Sequence, residues 1–205
     1  AIPVDLLYHP NFTDLLLEAE IDYLGFLPYE MRDQEELMVS LLDKSNNMLK
    51  YCSFRLRCDR EFVRIALRHS LENLEYAVAE LRDDQRLVEW ALRQGHSSGF
   101  QFVSQRLRDH EEIAQLALSA NIWNFRYLSS RLRNEEKWVR MAVEERPNIL
   151  SEVGERWRDN KSLIMELLEI EQYNISFLGF ISEGLKSGEE ILERAIQIHG
   201  DVLLE

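Results

Sequence analysis

The chain has 205 residues, 45% of them hydrophobic, so it can bury a substantial core and is too apolar to be disordered over most of its length. Its net charge of −13 lies at the two ends: residues 1–30 carry six acids and no Lys or Arg, and residues 165–205 carry nine acids against two bases. Residues 31–164 are neutral, with 22 acids and 22 bases. Such acidic ends disfavour nucleic acid as a partner, because phosphate binding needs a net cationic surface. We interpret the ends as soluble caps or, alternatively, as a docking surface for a basic partner.

The cysteines and the absence of long apolar runs bear on the compartment. Cys52 and Cys58 are interpreted as ordinary reduced thiols, which favours a reducing environment. No run approaches the ~20 apolar residues that span a membrane, and the amino terminus lacks the features of a signal peptide. The sequence therefore predicts a cytoplasmic protein without a membrane partner, or one in the host cytosol if it is part of a secreted effector. Because the chain lacks an initiator Met, it is also interpreted as a processed form or a fragment of a longer polypeptide.

An internal repeat dominates the chain after the acidic amino-terminal residues. An apolar residue, then Arg or Lys, then in most copies an acid or amide recur at intervals of 25, 25, 26, 25, 25 and 28 residues. Such a period is typical of solenoids and repeat arrays. The apolar anchors, counted as repeat position 1, are Met31, Leu56, Leu81, Leu107, Leu132, Trp157 and Leu185.

Each repeat is predicted to begin with an amphipathic helix A. Apolar residues at repeat positions 7, 8, 11 and 12, such as Leu87, Val88, Ala91 and Leu92, form one wide stripe on such a helix. The Asp or Asn at position 3 or 4 is expected to cap the first turn by accepting a backbone hydrogen bond.

A shorter helix B of about two turns is predicted after a polar break. It carries an aromatic residue near its centre in most repeats: Tyr51, Tyr76, Phe102, Tyr127 and Phe177. Because a helix this short is unstable alone, stacking on neighbouring repeats must stabilise it. Small residues that follow the aromatic are expected to allow neighbouring helices to approach closely: Ser53, Val78, Ser104, Ser129, Gly154 and Gly179.

These elements predict an all-α fold, a short α-solenoid of about seven stacked two-helix repeats with a period of about 25 residues. We expect a single helical-repeat domain over residues 1–205. Residues 1–30 form an acidic amino-terminal cap, with a partial repeat over residues 11–25. Residues 31–184 form the repeats, and residues 185–205 form the carboxy-terminal cap.

One unit of this repeat resembles a known family. The run LRDDQRLVEWAL at residues 81–92, preceded by NLEYA at 73–77, is similar to the tandem repeats of domain of unknown function 4116. The resemblance extends over residues 31–179 and departs at Glu152, where the aromatic is missing, and after Gly184, where the spacing stretches. It implies a helical repeat array of bacteria and protists, often in large multidomain or host-directed proteins. It implies no established activity and no catalytic residues.

Motifs for catalysis or metal binding are not recognisable. The five histidines fall at unrelated repeat positions, and the chain has no Gly-rich phosphate loop, nucleophile elbow or calcium loop. We therefore predict no enzyme, no catalytic residue, no metal ligand and no cofactor. An enzyme with a site in a concave groove remains the minor alternative.

The first candidate binding feature is the Arg at repeat position 2, which we call the arginine ladder: Arg57, Arg82, Arg108, Arg133 and Arg158. In a solenoid these residues stack with a rise of about 10 Å per repeat. Most follow another Arg two residues earlier, as in Arg55 and Arg57. In one interpretation these guanidinium groups pair with the acids of helix A and cap helix B. In the other, they form a stripe that binds an acidic peptide or a phosphorylated partner.

The second candidate is repeat position 10, which is apolar only in the middle repeats. We call it the middle column: Ile65, Trp90, Leu116 and Met141. In outer repeats the position holds Ser40, Glu166 and Arg194. An apolar strip with a polar rim is typical of a protein-binding hot spot. The alternative is that curvature buries these side chains against helix B as part of the core.

Together these features predict a non-enzymatic protein-protein interaction module that binds a partner protein or peptide on one face. The alternative is a structural or targeting segment of a larger multidomain protein or secreted bacterial effector, with an inert surface of its own. A monomer is favoured because the acidic ends oppose head-to-tail stacking, although an apolar terminal face would permit self-association.

Overall fold

A computed structural model of the chain describes residues 21–42, 46–96, 98–170 and 175–199. Within these ranges the chain is all-helical and contains no strand, which confirms the predicted all-α class. It forms two compact units that divide between Ala120 and Asn121, and each is described by itself. Most of the predicted partial repeat over residues 11–25 and the last residues of the carboxy-terminal cap lie outside the described ranges.

The first unit contains four consecutive repeats in its described residues, each made of a 3₁₀ helix, a short helix and a long helix. The 3₁₀ helices span Ile21–Phe26, Met48–Tyr51, Leu71–Tyr76 and Phe100–Phe102. The short helices span Tyr29–Arg32, Phe54–Cys58, Ala79–Arg82 and Gln105–Arg108. The long helices span Glu35–Leu42, Arg60–Leu67, Gln85–Arg93 and Glu111–Ala120.

The second unit follows the same order through the fifth, sixth and seventh repeats. Its 3₁₀ helices span Ile122–Tyr127, Pro147–Glu152 and Ile175–Phe180. The short segments are a 3₁₀ turn at Leu132–Asn134 and α-helices at Glu155–Arg158 and Glu183–Lys186. The long helices span Glu136–Glu145, Lys161–Leu168 and Glu189–His199.

The predicted two-helix repeat is wrong in its internal structure. The residues around the anchor form a short helix of their own, and helix B is a 3₁₀ helix, so each repeat has three helical segments. Where a serine stands three residues before the anchor, it caps this short segment; Ser53 Oγ, for example, accepts a hydrogen bond from the backbone N–H of Leu56 at 3.3 Å. In the last repeat this serine is Ser182, and not the predicted Gly179.

The predicted stripe of helix A is confirmed in the long helices. Leu87, Val88, Ala91 and Leu92 are each 3% exposed or less. The stripe has two edges, which differ in exposure on the last long helix. Ile191 and Ala195, at positions 7 and 11, are buried there. Leu192 and Ile196, at positions 8 and 12, are 48% and 57% exposed. Positions 8 and 12 are therefore the edge that meets a following repeat.

The predicted cap of the long helix is confirmed at position 4. Asp59 Oδ1 accepts hydrogen bonds from the backbone N–H groups of Glu61 and Phe62, both at 2.9 Å. Asp84 Oδ1 accepts one from Leu87 at 3.0 Å, and Asn160 Oδ1 caps the corresponding helix of the sixth repeat. Asp33 and Asp83 at position 3 do not cap a helix and have a different role.

The two thiols are free, with Cys52 buried and Cys58 exposed. Burial raises the pKa of the Cys52 thiol to about 12, against a smaller opposing influence of Arg57. The Cys52 thiol is therefore protonated at neutral pH. No helix of the described chain has the length and apolar character that crossing a membrane requires.

Candidate functional site

The paired arginines of one repeat have different partners, and the first of them joins its repeat to the preceding one. Arg55 Nε donates to the two carboxylate oxygens of Asp33 at 2.9 and 3.1 Å, and Arg55 Nη2 donates to the Asp33 carbonyl at 2.6 Å. Ser53 Oγ donates to the same carboxylate. We call this arrangement the Ser-Asp-Arg clasp.

The clasp recurs where the sequence supplies the same three residues. Arg106 Nε donates to both carboxylate oxygens of Asp83 at 3.0 Å, its Nη2 donates to the Asp83 carbonyl at 2.8 Å, and Ser104 Oγ also binds the carboxylate. In the second unit Ser182 Oγ donates to Asp159 Oδ1 at 2.5 Å. The interpretation in which the guanidinium groups of the doublet pair with acids of the fold therefore applies to Arg55 and Arg106.

The clasp also affects the acid stability of the first unit. The hydrogen bond from Ser104 and the adjacent Arg106 guanidinium lower the pKa of Asp83 below its ordinary value. A carboxyl group with a lowered pKa stabilises the folded state above its unfolded pKa of about 3.9, and this contribution is lost as the pH falls through the lower folded value.

We expect Asp83→Asn to reduce stability at neutral pH and to make the remaining stability less sensitive to acid below about pH 4. The urea midpoint of both proteins, measured from pH 7 down to pH 3, checks this. Because asparagine keeps the shape of the side chain, the difference between the two urea midpoints measures the effect of the Asp83 charge on stability. Curves that fall in parallel would show that Asp83 keeps its ordinary pKa.

At Arg32, Arg57, Arg82 and Arg158, the backbone of the Arg at repeat position 2 holds the next repeat. The carbonyl of this Arg accepts a hydrogen bond from the backbone N–H of the residue that stands three positions before the next apolar anchor. These bonds run from Ser53 to Arg32 at 2.9 Å, from Val78 to Arg57 at 3.4 Å, from Ser104 to Arg82 at 3.0 Å and, in the second unit, from Ser182 to Arg158 at 3.0 Å. Arg32 is therefore a further ladder residue. It was not among the predicted ladder residues, although its repeat position, shared with Arg57 and Arg82, identifies it.

The ladder side chains of the first three repeats lack an acidic partner among the residues that the structure describes. Arg32, Arg57 and Arg82 are half-buried, and none of them forms an ion pair with a carboxylate in the described part of the chain. The Nε atoms of Arg32 and Arg57 are buried. In the second unit, Arg133 Nη1 donates to the Glu152 carbonyl at 3.4 Å, which agrees with the predicted capping of helix B.

Exposed aromatic rings lie beside the first two ladder residues, and sequence analysis did not select them. Tyr29 is 53% exposed and Phe54 is 65% exposed, each three residues before a ladder Arg on its short helix. Residues at this spacing share a helix face. The guanidinium carbon of Arg57 lies 5.9 Å from the centre of the Phe54 ring, within cation-π range.

The middle column lies on the long helices and outside the fully buried core. Ile65, Trp90 and Leu116 are half-buried in the first unit, and Met141 is half-buried in the second. The guanidinium carbon of Arg64 lies 4.9 Å from the centre of the Trp90 ring. One face of the indole is thus covered by the preceding repeat.

Groups suited to metal chemistry are not found among the residues that the structure describes. No three His, Cys, Asp or Glu side chains there lie close enough together to hold a metal ion.

Comparison with known families agrees with the resemblance seen in the repeats. The model of a family described as Domain of unknown function (DUF4116) matches residues 34–82, which is almost two periods. The matched residues run from just before the first long helix to the end of the third short helix, and they contain Arg57 and Arg82. Searches of curated proteins and of solved structures found no match.

Proposed function

We propose that the chain is a non-enzymatic α-solenoid of about seven repeats that binds a partner protein or peptide. Packing inside the first unit supports the architecture, because each long helix contacts the next long helix and successive 3₁₀ helices contact one another from the second repeat to the fourth. In the second unit, the long helices Lys161–Leu168 and Glu189–His199 also pack together. Nearest-neighbour packing of this kind is characteristic of helical-repeat scaffolds.

The observation that carries the binding role is the contrast between the clasp arginines and the ladder arginines of the first unit. Arg55 and Arg106 are neutralised by clasp carboxylates, whereas Arg32, Arg57 and Arg82 remain without an acidic partner in the described chain. Like charges about 10 Å apart repel by only about 0.4 kcal/mol in water, so the fold tolerates them. A row of unneutralised guanidinium groups favours an acidic partner, since each can hold a carboxylate by two parallel hydrogen bonds.

The middle column supplies a possible apolar contact in the same proposal. Its half-buried side chains leave apolar surface on the long helices, where Trp90 is the largest residue. In protein interfaces, charges mainly set the orientation and the association rate, while buried aromatic residues supply much of the affinity.

The proposal is tested with a variant of the ladder arginines, and a variant of the clasp arginines serves as its control. We expect Arg57→Gln with Arg82→Gln to weaken binding of a fluorescein-labelled oligoglutamate about tenfold for each arginine, because each loses a charge-assisted contact. Arg55→Gln with Arg106→Gln should bind almost normally but unfold at lower urea concentration. Fluorescence anisotropy gives the affinities, and circular dichroism confirms that each variant is folded.

Three results would redirect the proposal. Unchanged binding by the folded ladder variant would exclude the ladder as the site. No binding by the wild-type chain would favour a structural or targeting segment of a larger protein. Weaker binding by folded Trp90→Glu would place the middle column in the interface, whereas unchanged binding would confine the site to the ladder.

A further inference from the structure

The spacing of the ladder in the first three repeats limits the kind of peptide that fits it. Consecutive long helices pack against each other, and packed helices lie about 8–10 Å apart. The equivalent backbone bonds from Ser53, Val78 and Ser104 fix Arg32, Arg57 and Arg82 at the same place in each repeat. Equivalent backbone positions of the three arginines are therefore expected at intervals of about 8–10 Å, which sets the spacing available to their side chains.

The polyproline II helix matches this interval. It has three residues per turn and a rise of about 3.1 Å per residue, so side chains at i, i+3 and i+6 lie on one side, about 9 Å apart. A β-strand presents side chains on one face about 6.6–6.8 Å apart, which is too close. An α-helix presents residues on one face about 5–6 Å apart, and it approaches the interval only at i+7, at about 10.5 Å.

The exposed rings distinguish polyproline II from the α-helix. Tyr29 and Phe54 are more than half exposed beside Arg32 and Arg57, and these rings are not covered by an apolar neighbour that would bury them. Proline-rich segments bind in aromatic-lined grooves, and their preformed conformation lowers the entropic cost of binding. The aromatic rings alternate with the ladder arginines along this surface. They therefore suit a peptide in which prolines, which pack on rings, alternate with acids, which pair with arginines.

We propose that Arg32, Arg57 and Arg82, with the rings of Tyr29 and Phe54, bind an acidic proline-containing peptide in the polyproline II conformation, with an acid at every third position. This inference rests on the proposed binding function and specifies its partner. Each acid pairs with one ladder Arg, and the residues between the acids pack on the rings. A single-stranded nucleic acid is disfavoured by the net charge of −13.

The test compares four labelled probes, of which the first two are peptides of identical composition, made of Asp, Pro and Ala. In one peptide an Asp stands at every third position among prolines, and in its isomer the same Asp residues are adjacent. A third, Ala-rich peptide carries Asp at i and i+7 on an α-helix. A single-stranded oligonucleotide is the fourth probe. Binding is measured by fluorescence anisotropy with the full chain, and oligoglutamate is titrated in parallel.

We expect the every-third peptide to bind at least about tenfold more tightly than its isomer, because the isomer can engage only one ladder Arg at a time. Phe54→Ala should weaken the every-third peptide severalfold without unfolding the chain, since the ring is 65% exposed. Trp123→Ala, which changes another exposed ring in the second unit, is the matched control and should bind normally.

The outcomes separate this inference from the proposed function. Equal binding of all acidic peptides would overturn the polyproline II assignment and leave the proposed function intact. Tighter binding of the helical peptide or of the oligonucleotide would also overturn it. If neither oligoglutamate nor any acidic peptide binds, both the inference and the proposed function fail.

Discussion

Gly99→Ala is expected to destabilise the chain by about 3 kcal/mol or more, because the new methyl group has no space. A Cβ at Gly99 would lie 2.4 Å from the backbone nitrogen of Glu72 and 2.6 Å from the carbonyl carbon of Leu71. These atoms belong to the 3₁₀ helix of the preceding repeat, so no side chain can rotate away to make room. The φ angle of +96° adds strain for any residue other than glycine.

Gly95→Ala is the matched control for this prediction. Gly95 also has a positive φ, +86°, but nothing lies within 4 Å of its added Cβ. It should therefore cost only the left-handed backbone penalty of about 1 kcal/mol. Urea denaturation of the two variants and the wild type measures the difference. Equal losses would mean that the close approach between the third and fourth repeats does not contribute to stability.

Asn73→Ala is expected to cost about 3 kcal/mol, because it removes the four hydrogen bonds of a fully buried side chain and leaves the buried N–H of Leu49 without its partner. Asn73 is fully buried, and its Nδ2 donates to the carbonyls of Asn46, Ala66 and Ser70 at 2.6, 3.0 and 3.2 Å. Its Oδ1 accepts from the backbone N–H of Leu49 at 3.2 Å. One side chain thus connects the 3₁₀ helices of the second and third repeats.

The control is Asn148→Ala, which removes an exposed amide that also crosses two repeats. Asn148 Oδ1 accepts a single hydrogen bond from Ser176 Oγ at 3.1 Å. Its loss should change stability by no more than about 0.5 kcal/mol, since water can replace the bond. Thermal and urea unfolding of both variants provide the comparison. A small effect of Asn73→Ala would show that the N–H of Leu49 finds another partner and that the link between the two 3₁₀ helices contributes little to stability.

The long helices were predictable from local pattern. Positions 7, 8, 11 and 12 recur at helical spacing, and burial of the stripe follows from that spacing alone. The position-4 caps, such as Asp59 and Asp84, were equally predictable, because a cap bonds to its own helix. The buried stripe and the position-4 caps depend only on the periodicity of the sequence and on hydrogen bonds between residues close together in the chain.

The short helix and the last repeat were harder to predict. Phe180, not Phe177, occupies the position of Tyr76, because the last interval is 28 residues and the alignment must be counted back from Leu185. The small residue after the aromatic was expected only to allow close packing. Ser53 and Ser104 instead cap a helix and donate to the preceding repeat, a role that depends on a neighbour 20 or more residues away.

For this protein the sequence by itself determined the repeat period, the all-helical class, the buried stripe and the place of the arginine ladder. The tertiary structure alone decided that Arg55 forms an ion pair with Asp33, whereas Arg57 has no acidic partner among the described residues. Arg55 and Arg57 are chemically identical in the sequence, and only stacking brings Asp33 to one of them. The physical reason is that an ion pair requires two side chains within about 4 Å, and separation along the chain does not specify that distance.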